Sequence, residues 1–398
     1  MLSNTVQLYR DSFKGLNSSV WLLSFINLIN RSGTMVVPFM SMYITQDLGL
    51  SLTKAGFVLT CFGVGAIFGA LAGGKLTDRI GHYKVQMLTL IFGGISFVIL
   101  GQLKEFNSIC IMTFVLALVN EAFRPANMSA IGIYSTPENR TRSSSLVRLS
   151  VNIGWAVGAT LGGMLASINY ELLFWVDGIT NILAAITLYF TLRPSKILVS
   201  KKRDDTISPE SVYKDHTFLY FVVLSFFFAL CFFQLFSTYP VYLKKVLLLS
   251  ERQIGWLFAL NGILIAVFEM VIIHTLSKKN QMLRYISIGL FFTGISFATL
   301  LLTDFNFILI AILSCVLVTT GEIFSMPFMM SFWMNRSNDN NRGQYASLYT
   351  ISYSAAHILG PVLGGMVADN LGFGILWTSI LIFCIFVGLA FKKLESVS

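Results

Sequence analysis

The chain has 398 residues, of which 55% are hydrophobic and only 12% are charged, and its mean hydropathy is +0.73. Soluble domains carry about 25% charged residues, so a chain of this composition cannot cover a water-facing surface, which excludes a soluble enzyme. The formal charge of +9 is compatible with nucleic-acid binding, but its placement in the connections between apolar runs favours membrane lipid as the partner and no nucleic acid.

Twelve apolar runs each approach or exceed the roughly 20 residues that a membrane-spanning helix needs. They are long and unbroken rather than short and alternating, so the sequence predicts an all-α membrane protein with 12 transmembrane helices rather than a membrane barrel. The predicted spans in chain order are 19–43, 54–76, 84–103, 107–134, 143–167, 171–192, 217–242, 253–276, 283–303, 306–334, 344–368 and 372–391.

Basic residues are strongly biased towards one set of connections. That set, which includes both termini, holds 20 of them, whereas the alternate connections hold only Lys54, Lys104, Lys244, Lys245 and Arg252. Lysine and arginine concentrate on the cytoplasmic side of membrane proteins. The bias therefore predicts a multi-pass protein of the cytoplasmic (inner) membrane with both termini cytoplasmic.

The first predicted helix contains the polar segment Asn27-Leu28-Ile29-Asn30-Arg31. This segment is similar to the E-x-x-E-R signature of proton-coupled peptide transporters, but asparagines replace both carboxylates. An amide cannot carry a proton, so the coupling role of those acids does not transfer to Asn27 and Asn30. Arg31 is a candidate to bind an anionic substrate group or, alternatively, to pair with an acidic neighbour.

The connection between the second and third helices reads Gly74-Lys75-Leu76-Thr77-Asp78-Arg79-Ile80-Gly81, followed by His-Tyr-Lys. It resembles the signature loop of the major facilitator superfamily, G-x-L-[small]-D-R-x-G-[RK]-[RK], with a His-Tyr pair in place of the usual basic pair. Gly81 permits a tight turn, and Asp78 can face a helix N-terminus or pair with an arginine. We therefore expect Gly74, Asp78, Arg79 and Gly81 to form a gating motif on the cytoplasmic side.

This resemblance covers essentially the whole chain and implies two pseudo-symmetric six-helix bundles that rock about a central cavity. It implies a secondary active transporter that moves a small-molecule substrate. The sequence contains no ATP-binding loop and no metal-ligand cluster, so we expect no cofactor or metal and a proton gradient as the driving force. The oligomeric state is not indicated.

The fourth predicted helix carries the most polar stretch inside any span, from Asn120 to Asn127. Glu121 and Arg124 are three residues apart and share a helix face, and the following Pro125 frees a backbone carbonyl. Ionisable groups in a membrane are costly and usually mark a pathway. We interpret the stretch as a site of substrate contact or coupling, with a purely structural Glu121–Arg124 ion pair as the alternative.

The fifth helix contains Arg148 and Asn152, in a segment that also resembles peptide transporters. It continues with glycines that resemble the glycine-rich motif of antiporter-type exporters in the superfamily. Glycines four residues apart also allow two helices to approach closely, so plain packing is the alternative. The glycines are Gly154, Gly158, Gly162 and Gly163.

The two halves of the chain repeat each other across a charged connection. We predict an N-terminal bundle at 1–192, a cytoplasmic linker at 193–216 and a C-terminal bundle at 217–398. A duplicated unit places the substrate site between repeats. A shift of 202 positions superposes Pro125 on Pro327, Ser129 on Ser331, Arg140 on Arg342, Gly158 on Gly360, and Gly162-Gly163-Met164 on Gly364-Gly365-Met366.

Three ionisable residues in the C-terminal half complete the candidate site. Glu322, on the tenth helix, is the repeat counterpart of Glu121 within one residue, and such a carboxyl can take up a proton on one side and release it on the other. Glu269 lies on the eighth helix. His357, on the eleventh, is a possible titrating group or a hydrogen-bonded structural residue.

Together these features predict proton-coupled efflux of amphipathic or drug-like molecules by alternating access. Arg31 and Arg148 leave open proton-coupled uptake of peptides, sugars or organic acids. A non-transporting sensor or scaffold on the same fold is the alternative of another class, and the charges within the spans argue against it.

Overall fold

The computed structural model describes residues 15–136, 140–192, 212–276, 281–302, 306–337 and 342–395. Within these stretches the regular structure is helical throughout, because a chain segment away from water must satisfy its backbone polar groups internally. In the described part of the chain, twelve helices are long and apolar enough to cross a membrane, which confirms the predicted number of spans.

The spans are numbered α1–α12 in chain order, and their ends differ from the predicted ones by at most four residues. Most of the differences arise because helices continue past the apolar runs into polar flanks, whereas α9 ends four residues before its predicted end. The spans are α1 (Ser18–Asp47), α2 (Leu52–Ile80), α3 (His82–Gln102), α4 (Phe106–Tyr134), α5 (Arg140–Ala166), α6 (Glu171–Thr191), α7 (His216–Lys245), α8 (Glu251–Leu276), α9 (Met282–Thr299), α10 (Phe307–Arg336), α11 (Arg342–Leu371) and α12 (Phe373–Glu395).

Three of these helices are interrupted along their described length. The break in α4 lies just before Pro125, whose ring removes a helical hydrogen bond, whereas α10 continues through Pro327. The breaks in α1 and α7 occupy the same place in the repeat, since the shift of 202 positions carries residue 33 onto residue 235. The segments are Ser18–Ser32, Val36–Met42 and Tyr43–Asp47 in α1; Phe106–Glu121 and Phe123–Tyr134 in α4; and His216–Phe232, Phe233–Phe236 and Thr238–Lys245 in α7.

The chain divides by contact into two compact units. The first comprises Met1–Val36 with Val64–Lys201, and the second Val37–Gly63 with Lys202–Ser398. Within the first unit, α1 packs against α5 and α6, and α3 against α4 and α6; within the second, α9 packs against α10 and α12, and α7 against α11. The sequence did not predict that Val37–Gly63 packs with the second unit. Most of the expected linker, up to residue 211, lies outside the described residues, so its role stays a prediction.

Asp215 ties the start of α7 to the adjoining ends of α10 and α11. Its carboxylate accepts hydrogen bonds from Nε and Nη2 of Arg336 at 3.0 and 2.9 Å, from the Tyr345 hydroxyl at 2.8 Å and from the Phe218 N–H at 3.0 Å. Partial burial disfavours the charged carboxylate, but these hydrogen bonds and the Arg336 charge outweigh burial and lower its pKa.

The Asp215→Asn substitution is expected to lower the unfolding temperature at neutral pH by a few degrees, since it removes a half-buried ion pair worth about 1 kcal/mol. A lowered pKa stabilises the fold fully above the ordinary carboxyl value of about 3.9, and this stabilisation is lost as pH falls through the folded-state value. The difference from wild type should therefore persist down to about pH 4 and shrink below it, as measured by thermal scans in detergent. Arg336→Gln should cause a similar loss, and full additivity of the two changes would contradict a direct pair.

Candidate functional site

An amide network joins three helices of the first unit. Asn27 on α1 and Asn127 on α4 hydrogen-bond reciprocally, with Nδ2 to Oδ1 distances of 2.9 and 3.1 Å. Gln86 on α3 donates to the same Asn127 oxygen at 3.4 Å, while its own Oε1 is buried with no hydrogen-bond partner among the described residues. Because an unpaired buried acceptor is costly, Gln86 Oε1 is available to a donor on a solute or to water.

A second group of amides lies one helical turn further along α1. Nδ2 of Asn30 donates to Oδ1 of Asn181 on α6 at 3.0 Å, and Nδ2 of Asn181 donates to the carbonyl of Asp177 at 2.8 Å. Asn120 on α4 fits against Gly93 of α3, where a Cβ atom would lie only 2.2 Å from its Oδ1. The structure therefore brings together the amides of α1, α4 and α6 that the sequence left separate.

Arg31 packs against α5 at Gly154, where a Cβ atom would come within 2.6 Å of the Arg31 Cβ. The charges of Glu121 and Arg124 both act on Arg31, so these three ionisable side chains of the first unit lie near one another. Nε of Arg31 is buried and has no hydrogen-bond partner in the described part of the chain. Such a donor suits an anionic group, because guanidinium and carboxylate form strong charge-assisted hydrogen bonds.

Glu121 and Arg124 lie on either side of the interruption in α4. Glu121 is half-buried at the end of the first segment, and Arg124 is exposed near the start of the second. The described contacts do not include the structural Glu121–Arg124 ion pair that the sequence leaves open. Both side chains stay candidates for substrate contact or coupling.

The predicted residues on α5 have different surroundings. Arg148 is exposed, whereas Asn152 is half-buried two residues before Gly154. At Gly158 a Cβ atom would lie 3.0 Å from the carbonyl oxygen of Ser32 on α1. The glycine-rich face of α5 thus allows close backbone packing against α1, next to Arg31.

Glu322 on α10 lies beside α8 in the second unit. Nδ2 of Asn261 donates to Oε2 of Glu322 at 3.2 Å and to Oγ1 of Thr319 at 3.0 Å. The charge of Glu269 also acts on Glu322, so two predicted carboxylates lie near each other. Among the described basic side chains, none forms an ion pair with Glu322. Because no described cation balances the charge of this carboxylate, binding of a proton is favourable there.

Aromatic side chains of α11 adjoin this carboxylate. The side chain of Tyr353 lies near Glu322, and its ring centroid is 4.9 Å from that of Tyr349. His357, one turn further along α11, packs against Phe233 in the break of α7 with centroids 4.5 Å apart. The described contacts of the His357 ring are aromatic, which suits a packing role.

Gly81 alone connects α2 to α3, and its φ of 87° is a conformation that side-chain-bearing residues rarely adopt. The tight turn expected at this position is therefore present. Arg79 is exposed, and a Cβ atom on Gly74 would meet open space. The side chain of Asp78 lies outside the described residues, so its part in the gating motif stays a prediction.

Sequence reasoning overlooked several neutral amides that hold the site together. Gln86, Asn181 and Asn261 partner predicted residues, and Gln234 in the break of α7 donates to the carbonyl of Gly360 at 2.7 Å. Each of these amides lies inside an apolar run, which marks it as a candidate site residue in the sequence. Amides are uncharged, however, so the presence of ionisable groups within spans does not indicate them. Within the described stretches, no group of three or more His, Cys, Asp or Glu residues could hold a metal ion.

Comparisons with known proteins identify the family of this chain. The family model described as Major Facilitator Superfamily matches residues 20–361. The chain is 24% identical to the Na(+), Li(+), K(+)/H(+) antiporter of Planococcus maritimus over 387 residues, covering 89% of each protein. It is 23% identical to Multidrug resistance protein 2 of Bacillus subtilis (strain 168) over 350 residues, covering 84% of each.

A solved structure shares the fold at low sequence identity. The crystal structure of an auto-inhibited POT family peptide transporter matches with a TM-score of 0.80 and 14% identity, covering 96% of this chain and 97% of that one. At this identity the match concerns the arrangement of helices alone.

Proposed function

The chain belongs to the major facilitator superfamily, whose members are transporters and not enzymes, and we propose that it exports amphipathic or drug-like organic molecules in exchange for protons. Membership of this family shows that the chain is a multi-pass membrane transporter. The solute, the proton and the outward direction are the proposed parts, together with a cytoplasmic membrane location and cytoplasmic termini.

The observation that carries the proposal is the setting of Glu322. This carboxylate lies in a membrane-spanning helix, accepts a hydrogen bond from the Asn261 amide and lacks a described cationic partner. Leaving it charged in such surroundings is costly, and taking up a proton removes that cost. A proton-driven transport cycle requires a group that alternates between a protonated and a deprotonated state, and Glu322 is suited to that role.

The polar cluster of the first unit supplies a complementary set of solute contacts. Among the described residues, Gln86 offers an unpaired acceptor, Arg31 an unpaired donor, and Glu121 a carboxylate near a helix break. Few polar groups set among apolar helices are typical of small-molecule sites, in which hydrogen bonds fix orientation and apolar area supplies affinity.

The relatives favour exchange over uptake. One is named as a cation/H(+) antiporter and another as a multidrug resistance protein, and both align along more than four-fifths of this chain. Under this proposal, the solute leaves as protons enter.

Arg31 favours a second candidate function, the uptake of anionic peptides or organic acids with protons. Its buried Nε has no described hydrogen-bond partner and would suit a substrate carboxylate. In this candidate the solute and the proton move in the same direction.

Flux measurements in liposomes distinguish the two candidates. A panel of amphipathic compounds and organic acids is first screened for thermal stabilisation of the purified protein, since a ligand that binds the folded state raises its unfolding temperature. The stabilising compound is then added outside liposomes that contain the protein and have an acidic lumen. Export by exchange predicts accumulation in the lumen above protein-free liposomes; accumulation only with an alkaline lumen would contradict exchange and favour uptake.

A further inference from the structure

A series of polar contacts joins α8 to α10 within the second unit. The thiol of Cys315 on α10 donates to the carbonyl of Leu257 on α8 at 3.2 Å. One turn further along both helices, Nδ2 of Asn261 donates to Oγ1 of Thr319 at 3.0 Å and to Oε2 of Glu322 at 3.2 Å. These contacts hold the Asn261 amide between a buried hydroxyl and the carboxylate to which proton coupling is assigned above.

The hydroxyl of Thr319 determines which way the Asn261 amide faces. This hydroxyl donates its one proton to the carbonyl of Cys315 at 2.6 Å, so towards Asn261 its oxygen can only accept. The group that meets this oxygen is therefore the Nδ2 donor of Asn261 and not the amide oxygen. Because Nδ2 carries two hydrogens, the second one is directed at Glu322.

A donor in this position favours the charged form of Glu322. A hydrogen bond from an N–H group stabilises a carboxylate more than a protonated carboxyl group, whereas burial in the membrane stabilises the protonated form. Among the described basic side chains, none forms an ion pair with Glu322. The Asn261 amide therefore opposes the effect of burial and helps the carboxyl group to release its proton.

The titratable side chains that lie near Glu322 do not replace this amide. They are Glu269 on α8, Cys315 on α10 and Tyr353 on α11, all of them neutral or acidic groups. A charge on Glu269 would favour the protonated form of Glu322 by repulsion. Other titratable groups of the surrounding helices have described contacts elsewhere, namely Tyr239 on α7 with Ala311, Tyr285 on α9 with Phe328, and Tyr349 and His357 on α11 with Trp333 and Phe233.

We propose that Asn261 is a positioning residue for Glu322, that Thr319 orients its amide, and that the pair sets the pH at which Glu322 releases its proton. This inference rests on the proposed function, because it matters for transport only if Glu322 is the coupling carboxylate. A coupling group must give up its proton in every cycle, and the oriented amide favours that step.

Infrared titration of the purified protein tests this role without any solute. The carbonyl stretching band of protonated carboxyl groups is followed from acidic to alkaline pH, and the part of the band that is absent in Glu322→Gln reports on Glu322. Asn261→Leu is expected to move the midpoint of this titration to higher pH by about one unit, a tenfold change in proton affinity, since it removes a hydrogen bond to a charged acceptor.

Thr319→Val separates orientation of the amide from its presence. The valine keeps the shape of the side chain but removes the oxygen that fixes Asn261, so the amide can turn its own oxygen towards Glu322. We expect a shift in the same direction as in Asn261→Leu, and no further shift when the two substitutions are combined, because Thr319 acts through Asn261. Thr320→Val is the matched control, since this neighbouring exposed hydroxyl donates to the Val316 carbonyl of its own helix; its midpoint should equal that of wild type.

The outcomes distinguish this inference from the proposed function. If Glu322 titrates but its midpoint is unchanged in folded Asn261→Leu, or in Thr319→Val where the first variant does not fold, the positioning role is overturned and coupling by Glu322 stands. An equal shift in Thr320→Val would also overturn the positioning role. If the band assigned to Glu322 does not change with pH in the wild type, both the inference and the coupling role are overturned.

Discussion

Replacing Glu322 by Gln is expected to reduce proton-driven transport to the level of protein-free liposomes while the protein remains folded. A glutamine keeps the volume of the side chain and an oxygen that can accept the hydrogen bond from Asn261 Nδ2, now 3.2 Å from the carboxylate. It cannot take up or release a proton. The measurement is solute flux under an imposed pH gradient, with the stabilising compound from the ligand screen as the solute.

Two companion variants make this result specific. Glu171→Gln removes a carboxylate from an exposed ion pair with Lys104 and should retain wild-type flux. Glu121→Gln tests the carboxylate of the first unit, which is expected to bind or couple as well. Solute exchange without a pH gradient should persist in Glu322→Gln, because binding survives when coupling is lost. Full proton-driven flux in both the Glu322 and Glu121 variants would contradict the assignment of coupling to these carboxylates.

Hydropathy was sufficient to predict the helices because the solvent of this fold is hydrocarbon. A spanning segment must be apolar and must be helical, so length and composition together determine α1–α12. The interruption of α4 could be anticipated from Pro125, whose chemistry disturbs any helix. The break in α1 could be anticipated only in part. Gly33 and Pro38 both disturb a helix, but the Asp177 carboxylate that accepts from the N–H groups after the break is distant in the sequence.

The candidate site was predictable as a set of residues but not as a set of contacts. Asn27 and Asn127 are 100 positions apart, and nothing in their spacing indicates that their amides bond reciprocally. Charged residues within apolar runs could be predicted as site residues because their burial is costly, whereas the neutral amides Gln86 and Asn261 could not. The packing of Val37–Gly63 with the second unit also escaped prediction, because hydropathy specifies that a segment is buried and does not specify its partner.

Replacing Asp177 by Ala is expected to destabilise the protein by about 3 kcal/mol, since each buried N–H left unpaired costs about 1–3 kcal/mol. The N–H groups of Met35 and Val36 open the second segment of α1, and the described partner of both is the Asp177 carboxylate. A position inside a membrane-spanning bundle offers little water to replace it. Thermal unfolding in detergent should show a decrease of about 5 °C or more.

The graded response of Asp177 variants distinguishes a cap from a general effect of mutating α6. Asp177→Asn keeps one acceptor oxygen and should lose about half as much stability as the alanine variant. Thr187→Val is the matched control, because the described hydrogen bond of this hydroxyl runs to the Leu183 carbonyl of its own helix. The unfolding free energy of this variant should stay within about 0.5 kcal/mol of wild type. Wild-type stability of Asp177→Ala would contradict the cap and would show that the break in α1 is held by packing of Gly33 against Thr180 rather than by the carboxylate.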